Sequence, residues 1–257
     1  MAVASRRRAA GFSLPLTMAL AFSLMTLASG IVGMVVVSDR QAKAAASELV
    51  TRTTLESAIE QGLYGLERDG APAAGEWTDR ASFNGLDVTL TFAPTRYKPD
   101  LNKSTAAEIT GALADPGLSR QVAAALAPPP TPQGERPQFN RFSEFVQAVG
   151  ADAAGEDCLR RRLTIGRAGA ATEPTPPVNA LVPTREPLAA AMLIDVRAET
   201  RDPEGRRVVL WRRVRYSGKA ERLWLTHDWR ELRLPRDDLA CPPPEPSPTF
   251  GVGASGR

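Results

Sequence analysis

The sequence predicts an α+β fold: one long N-terminal helix, an antiparallel sheet, and a small α-helical domain inserted between two groups of strands. Three observations carry this. Phe12 to Ser38 holds no charged residue. Leu86, Val88, Leu90 and Phe92 alternate with Asp87, Thr89 and Thr91, and alternation returns at 192–199. The stretch 97–166 between those strand groups carries helix signals instead.

The apolar run comes first. At about 1.5 Å per residue it is long enough as a helix to cross roughly 30 Å of hydrocarbon. Arg6, Arg7 and Arg8 precede it and favour a cytoplasmic N-terminus. Asp39 and Arg40 mark its far edge. A cleaved signal peptide is the competing reading, with "TLASG" at 26–30 as the cut site. The apolar character does not stop there, because Ile31 to Val37 continue it.

Beyond Ser38 the helix becomes amphipathic. Leu49, Leu55, Ile59, Leu63 and Leu66 recur at spacings near three, four and six, and Arg68-Asp69-Gly70-Ala71-Pro72 ends it. Gly30, Gly33 and Ser38 leave open a break into two helices. Asn84-Gly85 is a hairpin turn before the first strand. Later strands are expected at 192–199, Val208 to Tyr216 and Leu223 to Thr226, with a turn at Asp202-Pro203-Glu204-Gly205. In the helical stretch, Thr105 and Glu108 form a capping box, a second helix spans Leu118 to Leu126, and Gly150 separates two more.

Composition narrows the function classes. The 257 residues suffice for one or two domains. Of the 32 basic residues three are Arg6, Arg7 and Arg8; without them 29 basic residues face 29 acidic ones, so basicity gives no argument for nucleic acid. The 22 prolines cluster at 128–137, 174–187 and 242–248 as extended linkers or tail. The single histidine, His227, removes most catalytic triads and histidine metal sites. The two cysteines, Cys158 and Cys241, match no zinc or thioredoxin spacing.

The order basic leader, Gly11, Phe12-Ser13-Leu14, unbroken apolar helix resembles the type IV prepilin class, whose members are cut after the glycine by a membrane peptidase. That resemblance implies cleavage between Gly11 and Phe12, N-methylation of Phe12, and a helix that stays in the membrane. Pilin-like proteins usually carry Glu at the fifth mature position; here it is Leu16. The K-type minor pseudopilins (GspK) of type II secretion typically lack that glutamate and carry an α-helical domain inserted in a pseudopilin fold. The chain resembles them from Gly11 to about Glu231, including Asp100-Leu101-Asn102, which in that family begins a short helix, and "RFSEFVQAVGADA".

The resemblance implies the following division: 1–11 leader, 12–38 transmembrane helix, 39–96 spine helix and first strands, 97–166 inserted helical domain, 167–190 Pro-rich linker, 191–240 C-terminal strands, 241–257 disordered tail. It also implies a subunit at the pseudopilus tip, where Leu16 has no neighbour above to pair with. Its partners are then other minor pseudopilins, the major pseudopilin, the prepilin peptidase and the inner-membrane secretion platform. The location is the bacterial inner membrane, single-pass, with the bulk periplasmic.

Arg160, Arg161 and Arg162 beside a helix–Gly–helix turn suit a DNA-binding hairpin less well than a solvated helix end, so no nucleic-acid partner is expected. Arg207, Arg213 and Arg215 are expected on the wet side of a strand, paired with acids such as Glu199 and Glu221, or as edge guards. Trp211, Trp224 and Trp229 suit core or interface. His227-Asp228 is half a catalytic pair with no "GxSxG" or related nucleophile motif, so no enzyme is expected. No run of carboxylates suits calcium, so neither metal nor cofactor is expected. An extracytoplasmic location permits a Cys158–Cys241 disulfide tying the helical domain to the tail. The alternatives are an unprocessed single-pass protein with an extracytoplasmic binding domain, and a membrane-anchored enzyme using His227 and Asp228.

Overall fold

The computed structural model describes residues 13–72, 76–127, 136–166, 185–186, 188–189, 191–219, 223–235 and 241. The leader, with Gly11 and Phe12, lies outside them, as do most of the linker 167–190 and all of the tail after Cys241. The chain divides into two units, Met1–Val50 and Thr51–Arg257.

Helix α1 (Ser13–Asp69) contributes to both units. Gly30, Gly33 and Ser38 are helical residues within it, so none of them breaks it. In the first unit its side chains from Leu16 to Val37 are exposed on every side. The polar side chains among them satisfy themselves locally. Ser23 donates to the Ala19 carbonyl at 2.9 Å, Thr26 to the Phe22 carbonyl at 3.0 Å, and Ser29 to the Met25 carbonyl at 2.8 Å. A helix that meets hydrocarbon needs its polar groups satisfied in this way.

In the second unit five antiparallel strands form one sheet in the order β2 (Trp77–Phe83), β3 (Leu86–Pro94), β5 (Leu193–Arg201), β6 (Arg207–Tyr216), β7 (Trp224–Leu234). Two short strands, β1 (Ala71–Pro72) and β4 (Arg185–Glu186), pair separately. Asn84 and Gly85 turn β2 into β3 with φ of 51° and 77°, the left-handed geometry a two-residue hairpin needs. The sheet is larger than the sequence suggests. Strand β2 precedes the Asn84-Gly85 turn, and β7 runs on to Leu234 instead of ending at Thr226. The reason for the second difference is a bulge: Arg213 faces Asp228 while Val214 faces Thr226, so His227 is an extra residue. That shift breaks the alternation a sequence reading depends on.

One sheet face packs on α1. Leu55, Ala58, Ile59, Leu63 and Leu66 recur on one helix face and meet Phe92, Val196, Ala198 and Leu210. The approach is closest at Gly62, where an added Cβ would lie 2.5 Å from Phe92 Cζ. The Phe92 ring is buried and stacked on Trp77 at 4.6 Å, so it has little room to yield.

Among the described residues, four α-helices lie between β3 and β5 in the chain: α2 (Ala106–Gly111), α3 (Pro116–Leu126), α4 (Phe142–Val149) and α5 (Ala153–Arg162). Thr105 and Glu108 close a capping box on α2, Asp115 caps α3 with Pro116 in its first turn, and Asp152 caps α5. Gly150 ends α4 at φ 70°. These helices bury their own cluster, centred on Leu101, Ile109, Val122, Phe145 and Leu159. Asp100-Leu101-Asn102 is a turn, not a helix start: the Asp100 carboxylate accepts the Asn102 amide at 2.9 Å. The two ends of the segment are fastened together, with Leu101 N donating to Thr164 O at 2.8 Å and Thr164 N to Pro99 O at 3.0 Å.

Gly62 and Gly65 give a paired test. Nothing lies within 4 Å of a Cβ at Gly65. Gly65→Ala should raise unfolding stability by up to about 1 kcal/mol through helix propensity. Gly62→Ala should lower it by about 1–3 kcal/mol through overpacking. Denaturant unfolding of both variants measures this; equal stabilisation would remove the close approach at Phe92.

Candidate functional site

Two features distinguish the chain: the exposed apolar stretch of α1, and a layer of buried charge between the sheet and α5. In the first, Leu16 is 61 % exposed and Phe22 73 %. The stretch is long and apolar enough to cross a membrane.

The second feature lies on the sheet face away from α1. Strand β5 places Asp195, Arg197 and Glu199 at every second position there, and β6 adds Arg207, Trp211 and Arg213. Helix α5 supplies Glu156, Asp157 and Arg160 from above. Arg197 is 1 % exposed. Its Nε and Nη2 each donate to one Asp157 oxygen at 2.9 Å, and its Nη1 donates to Glu199 at 2.6 Å. Trp211 Nε1 donates to Asp157 Oδ1 at 2.7 Å. Arg207 closes the row on Glu199.

A second cluster centres on Asp195. Lys98 Nζ reaches it at 2.8 Å and also donates to the Arg160 carbonyl at 2.8 Å. Arg213 Nε donates to its other oxygen at 2.6 Å. Arg160 bridges Glu156 at 2.9 Å and Asp228 at 2.8 Å. Burial pushes the Asp195 carboxyl up, but Arg213 and Lys98 outweigh it and bring it to about 2. Burial acts the same way on Glu199, and Arg207 with Arg197 brings it to about 2. Lys98 goes below its ordinary value because burial exceeds the help from Asp195. Burial lowers Arg197 and Arg213, but Asp157 and Glu199 on the first and Asp195 on the second raise them above their ordinary value, so Lys98 is the group of these clusters whose charge burial opposes most.

Several expectations change here. Arg213 is not on a wet face, its side chain being 12 % exposed, and Arg207 is buried as well. Strand β6 is interior, so its arginines guard no edge. Arg160 is buried and paired, not the solvated helix end expected. Asp228 is held by Arg160 while His227 is the exposed bulge residue. Trp211 belongs to the charge layer, Trp224 packs on the apolar core, and Trp229 is 52 % exposed. Glu221 lies outside the described residues.

Cys158 of α5 is joined to Cys241 by a disulfide, with 5.2 Å between their Cα atoms. Sequence reading missed Asp157, Asp195 and Arg197 as a unit. The signal was there: alternating sign at 195, 197 and 199 on one strand face, and acids four residues before arginines in α5. Among the described residues no group of three or more His, Cys, Asp and Glu side chains is arranged to hold a metal ion. Comparison of the chain with family models, curated proteins and solved structures gave no match.

Two measurements probe the layer. Folding favours the charged form of Asp195, so its contribution is complete above pH 3.8 and is lost as pH falls toward about 2. That shift corresponds to roughly 2 kcal/mol. Urea unfolding from pH 5 to pH 2 should show stability falling, less steeply in Asp195→Asn; parallel curves would contradict the assignment. Separately, Arg197→Met strands Asp157 and should cost about 3–5 kcal/mol. Adding Asp157→Asn should return about 1 kcal/mol or more; strict additivity would show the two residues uncoupled.

Proposed function

We propose that the protein is a minor pseudopilin of the K type, acting in type II secretion by assembly and not by catalysis. The observation that carries the reading is the layout of one element. Helix α1 is apolar and exposed in its first stretch, and its last turns pack under a five-stranded antiparallel sheet. The four helices between β3 and β5, which close on themselves at Asp100 and Thr164, add bulk to the other sheet face.

On this reading the basic leader stays cytoplasmic and is cut after Gly11. Phe12 is N-methylated and the sheet-bearing unit is periplasmic. The apolar stretch holds the subunit in the inner membrane and then packs beside helices of the major and other minor pseudopilins. Leu16 stands where a pilin glutamate would neutralise a neighbour's amino terminus, so the subunit starts or caps the pseudopilus. The prepilin peptidase and the inner-membrane platform are its processing and assembly partners.

The first test is the N-terminus of the membrane-extracted chain, read by mass spectrometry with and without a prepilin peptidase. A chain beginning at methylated Phe12 only when the peptidase is present is the expected result. An uncut chain would leave a single-pass anchor with an extracytoplasmic domain, and a start near Ile31 an exported protein. Leu16→Glu should lengthen pseudopili and lower tip occupancy; unchanged length and occupancy would defeat the capping argument.

A further inference from the structure

We infer that the cleft between α1 and the β6–β7 side of the sheet is a binding site for an uncharged saccharide, with the Trp229 indole as the surface its ring lies against. The inference is independent of the assembly reading, because the cleft belongs wholly to the second unit.

The lining is polar. On the helix side Arg52, Glu56 and Glu60 recur at every fourth residue, in steps of about 6 Å along one face. On the sheet side stand Arg212 of β6 and Trp229 of β7. The enclosed volume of about 670 Å³ falls within the roughly 300–1,000 Å³ of small-molecule sites. Trp229 is the one large apolar side chain of this lining that stays exposed, at 52 %.

Charge and hydrogen bonding decide the class of ligand. Arg52 pairs with Glu56 at 3.0 Å, and Arg212 with Glu60, so two arginines and two glutamates cancel. An anion would meet two carboxylates, and a cation two guanidinium groups. Arg212 donates through Nε to Thr226 at 2.8 Å and through Nη1 to Glu60 Oε1, while Glu56 accepts through Oε1. Among the described residues this leaves Arg212 Nη2 and the Oε2 atoms of Glu56 and Glu60 for a ligand. A donor therefore stands beside acceptors with no net charge. Adjacent sugar hydroxyls, each both donor and acceptor, match that arrangement. An apolar ligand would cover it unmet.

The indole supplies the remaining contact. A pyranose has an apolar flank where its C–H groups point, and an aromatic π-face is electron-rich toward them. The Arg52 guanidinium lies 4.9 Å from the Trp229 ring centroid, a cation–π contact that joins α1 to β7 across the cleft. Arg212 is likewise held from both sides, by Glu60 of α1 and Thr226 of β7. The indole and the polar groups are thus positioned before a ligand arrives, which lowers the cost of binding.

The test titrates the full chain, in micelles of a detergent without a sugar headgroup, with N,N′-diacetylchitobiose, with cellobiose and with the acidic disaccharide glucuronyl-N-acetylglucosamine. Indole N–H resonances are followed by NMR. The Trp229 signal, assigned by its loss in Trp229→Phe, should shift saturably with at least one neutral disaccharide while those of Trp77, Trp211 and Trp224 stay in place. The acidic disaccharide should bind at least tenfold more weakly. Saturation transfer from protein to the neutral disaccharide should fall at least fivefold in Trp229→Ala and in Glu60→Ala, with thermal unfolding unchanged. No saturable shift with either neutral disaccharide, equal binding of the acidic one, or transfer unaffected by both variants would overturn the inference. Purified cell-wall sacculi identify the source in the positive case. Co-sedimentation of the chain that diacetylchitobiose displaces assigns a wall glycan; saturable shifts without co-sedimentation assign a soluble saccharide.

Discussion

The grip of Asp157 on Arg197 is the contact on which burial of the second sheet face depends. A guanidinium cannot shed its proton in a protein, so placing it at 1 % exposure requires carboxylates beside it. Asp157 meets two of its nitrogens and Glu199 the third. An unpaired ion there would cost several kcal/mol. The neighbours follow from the same need. Glu199 draws in Arg207, and Asp157 takes the Trp211 indole N–H. Helix α5 must present Asp157 at one position, which the Gly150 turn and the Asp152 cap help set.

The two sheet faces are held by different physics. Under α1 the contact is apolar and non-directional, limited mainly by shape at Gly62. Under α5 the contacts are short, charged and directional, so register matters more than area. The ties between Pro99, Leu101 and Thr164 bring the ends of the helical segment together beneath this layer, where Lys98 and Arg213 share Asp195. The ionic layer and the backbone ties restrain the same few residues.

Much of this was legible in the chain itself. The Thr105/Glu108 box, the Gly150 stop and the Asn84-Gly85 hairpin are local chemistry, and local chemistry reads directly. The apolar stretch of α1 reads from composition alone. The layer of buried charge does not, because alternation of apolar and charged residues looks the same whether the charged side meets water or meets opposite charges. Asp195-x-Arg197-x-Glu199 was a clue of sign, but its partner Asp157 lies 40 residues from Arg197 in the chain. The end of β7 was hidden for a different reason: one extra residue at His227 reverses the parity of everything after it.

The disulfide has a mechanical consequence. Cys158 and Cys241 stand 83 residues apart in sequence, and the span between them holds β5, β6 and β7. A pull applied between the two ends of the chain crosses that span through a single covalent link. Those three strands are bypassed and cannot be drawn out in series, whatever load the rest of the molecule carries. Tension reaches the sheet only from its β2–β3 side, through α1 and the hairpin, and the slack that unravelling could release is short by the whole length of the enclosed loop.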